Sequence, residues 1–140
     1  MSNYSSEDLR VSVLKFFCLD AQEQIEYAHM LPSGSEEKKF AFNLDHSPLL
    51  ELADGTYNIA RILTDGDEAH PAYQGLEELH ALTQAIVCSN GIDTLSPRAL
   101  RQDIAWRLVR KVARTCLREL GLPLTVPSIP CEELIPYIMD

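Results

Sequence analysis

The segment between Ser96 and Gly121 constrains the fold more than any other part of this sequence. Ser96 is a residue type that caps the free N–H groups at a helix start, and Pro97 suits the first helical position. Gly121 and Pro123 are typical of a helix end. Between these signals apolar residues recur every three or four positions, at Leu100, Ile104, Leu108, Val112 and Cys116. The pattern predicts a helix over residues 97–120 with this row as its buried face.

Two further segments have the same periodicity. The first begins at Ser5 or Ser6, and its apolar positions are Leu14, Phe17, Ala21, Ile25 and Ala28. The second ends before Gly91, a residue type common after a helix, and its apolar positions are Leu76, Leu79, Thr83, Ile86 and Val87. We therefore predict two more long helices, over residues 6–31 and 72–90.

The segment between the first two long helices is ambiguous. Phe40, Phe42 and Leu44 alternate as in a strand, and Asp54-Gly55 suits a hairpin turn, whereas Ser47-Pro48 resembles a helix start. We predict an all-α fold: a small helical bundle with three longer helices, short middle helices and an extended, proline-containing C-terminal strap after residue 120. The alternative is an α+β fold with a small antiparallel sheet in residues 40–63.

Length and composition place the chain among globular proteins. With 140 residues, 46% hydrophobic and 24% charged, it suits a single helical domain over residues 1–140. The first residues have neither the basic nor the apolar region of a secretory signal, so we expect a cytoplasmic protein without a membrane partner. In that compartment the four widely spaced cysteines are expected to be free and buried.

Charge is unevenly distributed along the chain. Residues 97–120 hold seven arginines and lysines against two acidic residues, whereas the rest holds five against 19. An acidic body opposes a general nucleic-acid role and favours a basic protein partner. The leading hypothesis is therefore a non-catalytic interaction or regulatory protein, such as an inhibitor, an immunity-type protein or an adaptor, that presents an acidic surface. The split charge also permits a homodimer.

Two charged segments are candidates for partner binding. The first is a basic stripe on the last helix, where cations recur at three- and four-residue spacing, at Arg107, Arg110, Arg114 and Arg118. It could contact nucleic acid, although the sequence offers no interleaved aromatics, or it could complement acidic residues of this chain or a partner. The second is the acidic loop Asp65, Asp67 and Glu68, whose spacing does not match a calcium-binding loop.

A pair of E-x-x-H motifs gives the alternative of a metal-binding protein or enzyme. Glu26 and His29 occupy one predicted helix, and Glu77 and His80 another. Residues three apart lie on the same side of a helix, so two such helices facing each other could hold divalent transition metals. In di-metal sites of helical bundles, two further helices each supply a glutamate, and this sequence lacks them. We therefore expect no cofactor, and a divalent transition metal is the alternative. The glycine spacing also matches no nucleotide-binding loop, and no catalytic motif is present.

Overall fold

The computed structural model describes residues 4–30, 48–88 and 96–139, which form eight α-helices and no strand. The predicted all-α fold is confirmed. Among these residues, no helix combines the length and the hydrophobicity needed to cross a membrane. The helices are α1 (Ser6–Cys18), α2 (Ala21–Tyr27), α3 (Pro48–Asp54), α4 (Ile59–Leu63), α5 (Tyr73–Cys88), α6 (Pro97–Gln102), α7 (Ile104–Glu119) and α8 (Cys131–Met139).

The predicted helix over residues 6–31 is divided in two, which corrects the sequence analysis. Leu19 is extended (φ −70°, ψ 155°) and ends α1, and Asp20 starts α2. The backbone N–H of Asp20 donates to the carboxylate of Glu23, three residues later, at 3.4 Å. This D-x-x-E spacing is a helix-start signal that lies inside the apolar row. A second helix therefore begins at this point, whereas periodicity alone predicts a single continuous helix.

The predicted helix over residues 97–120 is also divided, at Asp103. Asp103 is extended (φ −75°, ψ 128°), and its side chain accepts a hydrogen bond from the N–H of Ala105 at 2.9 Å. Because one non-helical residue separates α6 from α7, the row of apolar residues that begins at Leu100 does not continue in register. The predicted buried face is therefore wrong at Ile104 and Leu108, which are 75% and 44% exposed. The buried residues of α7 are Trp106, Val109, Arg110, Ala113, Cys116 and Leu117.

The core lies where α7 packs against α1 and α5. Trp106 is completely buried and stacks on Phe17, with ring centroids 6.1 Å apart and the ring planes inclined by 6°. Phe16 meets Phe17 edge to face at 5.0 Å. Burial of these large rings supplies much of the hydrophobic stabilisation of the three-helix contact.

The middle and the end of the chain complete the bundle. The short middle helices are confirmed as α3 and α4, and the alternative sheet has no counterpart in residues 48–63, whereas residues 40–47 lie outside the described ranges. The C-terminal strap has no regular structure over residues 122–130 and then forms α8, a helix that the sequence analysis did not predict. Lys15 donates to Thr125 at 2.9 Å and Tyr27 donates to the carbonyl of Ile129 at 2.6 Å, which holds the strap against α1 and α2.

Candidate functional site: a basic groove on α7

An open groove of about 430 Å³ runs between α7 and the junction of α1 with α2. The break before α2 exposes Asp20 and Ala21 on one side, and the three- and four-residue spacing of cations along α7 lines the other. The charged residues of the groove are Arg107, Arg110, Lys111, Arg114, Arg118 and Asp20. All four arginines of the predicted stripe therefore lie in one groove, and Lys111 joins them.

Arg110 forms the floor of the groove and is only 9% exposed. Its Nε donates to Gln24 of α2 at 3.1 Å, and its Nη2 donates to the carbonyl of Leu100 near the end of α6. Burial lowers the pKa of the Arg110 guanidinium, and the positive charges of Arg114 and Arg107 lower it further, whereas Asp20 raises it. Arg110 thus joins α2, α6 and α7, a structural role that the amphipathic pattern does not indicate.

Arg114 lies next to Arg110 and is also held by the protein. Its Nε donates to the carbonyl of Cys18 at 2.8 Å, and its Nη2 contacts a carboxylate oxygen of Asp20 at 2.9 Å. The Cys18 carbonyl belongs to the last turn of α1, where a cation is favourable because the helix dipole is negative. Arg114 therefore stabilises the end of α1 while its side chain stays 42% exposed.

The other three cations form the open part of the groove. Arg107, Lys111 and Arg118 are exposed, and no described carboxylate lies within ion-pair distance of them. Among the described lining residues, five cations thus share the groove with one carboxylate, that of Asp20, although the chain has a net charge of −9. Like charges at this spacing repel each other, so the groove is a place where an anion would be favoured.

An apolar pair lies beside the open part of the groove. Ile104 and Leu108 are four residues apart on α7, so their side chains lie one above the other, and both are exposed. Lys111 and Thr115 continue this face of the helix. The outer face of α7 therefore combines an exposed aliphatic patch with the exposed cations.

The two E-x-x-H motifs occupy different environments. His29 follows the end of α2 with a positive φ of 54°, and its Nε2 lies 3.3 Å from a carboxylate oxygen of Glu132. Glu26 accepts a hydrogen bond from Gln22 at 3.2 Å. Both His29 and Glu132 are about two-thirds exposed, so their contact is screened by water and contributes little stability.

The second motif borders a separate pocket. Glu77 and His80 line a pocket of about 180 Å³ between α4 and α5, and Nδ1 of His80 lies 2.7 Å from the hydroxyl of Thr56. In the described ranges no group of three or more His, Cys, Asp or Glu residues could hold a metal ion. The metal site that combines Glu26, His29, Glu77 and His80 stays a prediction. The pocket itself could not be predicted from the sequence, because Thr56 belongs to no recognisable motif.

The acidic loop lies apart from the groove. Asp65, Asp67 and Glu68 are exposed between α4 and α5, and Asp65 has a positive φ of 59°. The carboxylate of Asp67 accepts a hydrogen bond from the N–H of Ala69 at 3.0 Å, as in a local turn. The loop is a solvated turn, and its role in partner binding stays a prediction.

The cysteines are free, as expected, but they are not all buried. Cys88 at the end of α5 is exposed. Burial raises the pKa of Cys18, Cys116 and Cys131 to about 12, so these three thiols are neutral near neutral pH. A neutral, buried thiol is a poor nucleophile, and these three cysteines are part of the core.

Comparisons with protein-family models, curated proteins and solved structures found no significant match to this chain.

Proposed function

We propose that this protein is a non-catalytic interaction domain that binds an acidic segment of a protein partner in the basic groove of α7. The sequence analysis also expects an interaction protein, but with a basic partner, whereas the groove favours an acidic one. The observation that carries the proposal is the set of three exposed cations, Arg107, Lys111 and Arg118, without an ion pair among the described residues. An acidic surface that contacts a basic partner, with the loop Asp65, Asp67 and Glu68 as its candidate site, stays a prediction.

The floor of the groove is preorganised for such a partner. Arg110 and Arg114 already donate to the Gln24 side chain and to backbone carbonyls of the neighbouring helices, so their guanidinium groups are fixed before binding. Rigid charges lose little conformational entropy on association. The exposed cations can then form charge-assisted hydrogen bonds with carboxylates, and the arginines can do so in bidentate geometry.

The apolar pair favours a protein segment over a nucleic acid. Ile104 and Leu108 offer aliphatic contact area beside the cations, which suits a leucine or valine of a peptide. Proteins that bind single-stranded nucleic acids stack the bases on aromatic side chains, and none of the described residues that line the groove is aromatic. From Arg107 to Arg118 the helix rises about 16 Å, which matches about five residues of an extended peptide.

The test uses synthetic peptides and measures their binding by fluorescence anisotropy. The probe is a labelled peptide of alternating glutamate and leucine, compared with a glutamine-for-glutamate control and with an oligothymidylate. We expect binding of the glutamate peptide alone, with a clear loss of affinity between about 50 and 200 mM salt. Undetectable peptide binding, or tighter binding of the oligothymidylate, would contradict the proposal.

Matched variants separate the groove from the general effect of net charge. The triple variant R107Q/K111Q/R118Q removes the exposed cations of the groove, and R61Q/R98Q/R101Q removes the same number of exposed cations elsewhere. We expect a loss of about tenfold or more in affinity for the first variant and less than about twofold for the second. Equal losses would mean that the groove has no special role. Circular dichroism checks that both variants are folded.

A further inference from the structure

The pocket between α4 and α5 contains a histidine in a defined orientation. The hydroxyl of Thr56 lies 2.7 Å from the carbonyl oxygen of Ala53 and 2.7 Å from Nδ1 of His80. Two oxygens this close require a proton between them, and a carbonyl has none, so the Thr56 hydroxyl donates to Ala53. The second short contact then needs a proton from His80. The geometry therefore assigns the neutral ring of His80 as the Nδ1–H tautomer.

This assignment leaves Nε2 of His80 as a hydrogen-bond acceptor. No described residue donates a hydrogen bond to it, and the ring is only partly buried at the wall of the pocket. The ring of Tyr57 approaches the imidazole edge-on, with centroids 6.2 Å apart, which restricts the ring further. A fixed acceptor at a pocket wall suits a ligand that donates a hydrogen bond.

The pocket also holds two opposite charges that are not paired with each other. Arg61 of α4 and Glu77 of α5 both line it, and no ion pair joins them. Glu77 lies one turn before His80, so its carboxylate and Nε2 are on the same side of α5. The negative charge and the acceptor thus come from one helix and the positive charge from the other.

We propose that this pocket binds a small free α-amino acid. Arg61 pairs with the carboxylate of the ligand, and Glu77 together with Nε2 of His80 accepts hydrogen bonds from its ammonium group. The volume of about 180 Å³ is below the range of about 300 Å³ and more that is typical of larger ligands, so the ligand is small. The side chain of the ligand contacts the partly exposed ring of Tyr73, which also lines the pocket.

The first test is calorimetric titration of the full chain with glycine, L-alanine and L-valine. Propionate lacks the ammonium group of alanine and ethylamine lacks its carboxylate, so these two probes separate the contributions of the two ligand groups. We expect saturable binding of at least one amino acid at one molecule per chain, and affinities at least about tenfold weaker for both partial probes. If no amino acid binds, or if either partial probe binds as tightly as alanine, the proposal is wrong.

Variants of the two helices provide the second test. Arg61→Gln changes an exposed residue and should weaken amino-acid binding about tenfold, as should His80→Ala. His29→Ala changes the histidine of the other E-x-x-H motif and should leave binding unchanged. Because His80 is partly buried and its variant could lose stability, Arg61→Gln keeps the test decisive. Unchanged affinity in Arg61→Gln would overturn the proposal.

The tautomer has its own spectroscopic test. Long-range ¹H–¹⁵N correlation spectra distinguish the two neutral tautomers of histidine, and for the neutral ring of His80 we expect the Nδ1–H form. The Nε2 resonance should also shift when L-alanine is added. Observation of the Nε2–H form, or no shift under saturating alanine, would contradict the proposed contact.

Discussion

Arg110 and Gln24 lie 86 residues apart in the chain and are joined by a buried hydrogen bond of 3.1 Å between Nε and Oε1. The amide nitrogen of Gln24 in turn donates to the carbonyl of Phe16 in the last turn of α1 at 3.1 Å. The chain from Arg110 through Gln24 to Phe16 therefore links α7, α2 and the end of α1. It also fixes the position of α7 next to the α1–α2 junction, which forms the groove.

Loss of Arg110 should be costly. Arg110→Ala leaves the Gln24 side chain and the Leu100 carbonyl without this donor inside the protein, so we expect a loss of about 2–4 kcal/mol in the free energy of unfolding. Arg107→Ala, one turn earlier and exposed, should change it by less than about 0.5 kcal/mol. Urea denaturation measures both. Similar values for the two variants would show that the buried network contributes little.

The close approach of α5 and α7 makes a second prediction. A Cβ atom added at Gly75 would lie 2.8 Å from Sγ of Cys116. Gly75→Ala should therefore lose about 1–2 kcal/mol through overpacking, although alanine is the better helix former. In the Cys116→Ala background, which lacks the sulfur, the same change should be neutral or stabilising. A double-mutant cycle measures this coupling, and equal effects in both backgrounds would refute the steric explanation.

The burial of the thiols predicts their reactivity. In native protein near pH 8, we expect one of the four cysteines to react rapidly with a thiol reagent, namely the exposed Cys88. The other three should react only after unfolding, because they are buried and their pKa values are raised to about 12. Cys88→Ser should abolish the rapid reaction. A second rapid thiol in the native protein would contradict the structure.

The same pKa values predict a loss of stability in alkaline solution. Since burial raises the pKa of Cys18, Cys116 and Cys131 from 9.0 to about 12, the folded state binds protons that the unfolded state releases above pH 9. Their contribution to stability is complete below about pH 9 and decreases as the pH rises towards 12. Burial raises the pKa of Tyr27 as well, which acts in the same direction.

Urea denaturation at several alkaline pH values measures this decrease. Cys131→Ala should make the free energy of unfolding decrease less steeply with pH. Cys88→Ser, at an exposed position, should leave this pH dependence unchanged. A free energy of unfolding that stays constant between pH 9 and 12 would show that the thiols are not buried in solution.

Local signals in the sequence determined most of the helices. Ser96 and Pro97 mark the start of α6, Gly121 follows the end of α7, and apolar periodicity indicates α1, α5 and α7, because these features depend only on residues within a few positions of one another. The two breaks, at Asp20 and Asp103, also have local signals. The apolar row runs through both breaks without interruption, so periodicity predicts continuous helices there in spite of the acidic helix starts.

The tertiary structure showed which face of α7 is buried, and it alone decided what each arginine does. The break at Asp103 changed the register, so Ile104 and Leu108 became exposed and Trp106 entered the core. The stripe of arginines was visible in the sequence, but the division between structural Arg110 and exposed Arg107 depends on Gln24 and on the Leu100 carbonyl. Likewise, the tautomer of His80 depends on Thr56, 24 residues away. Such contacts join residues that are distant in the chain, and no periodicity within a single helix can encode them.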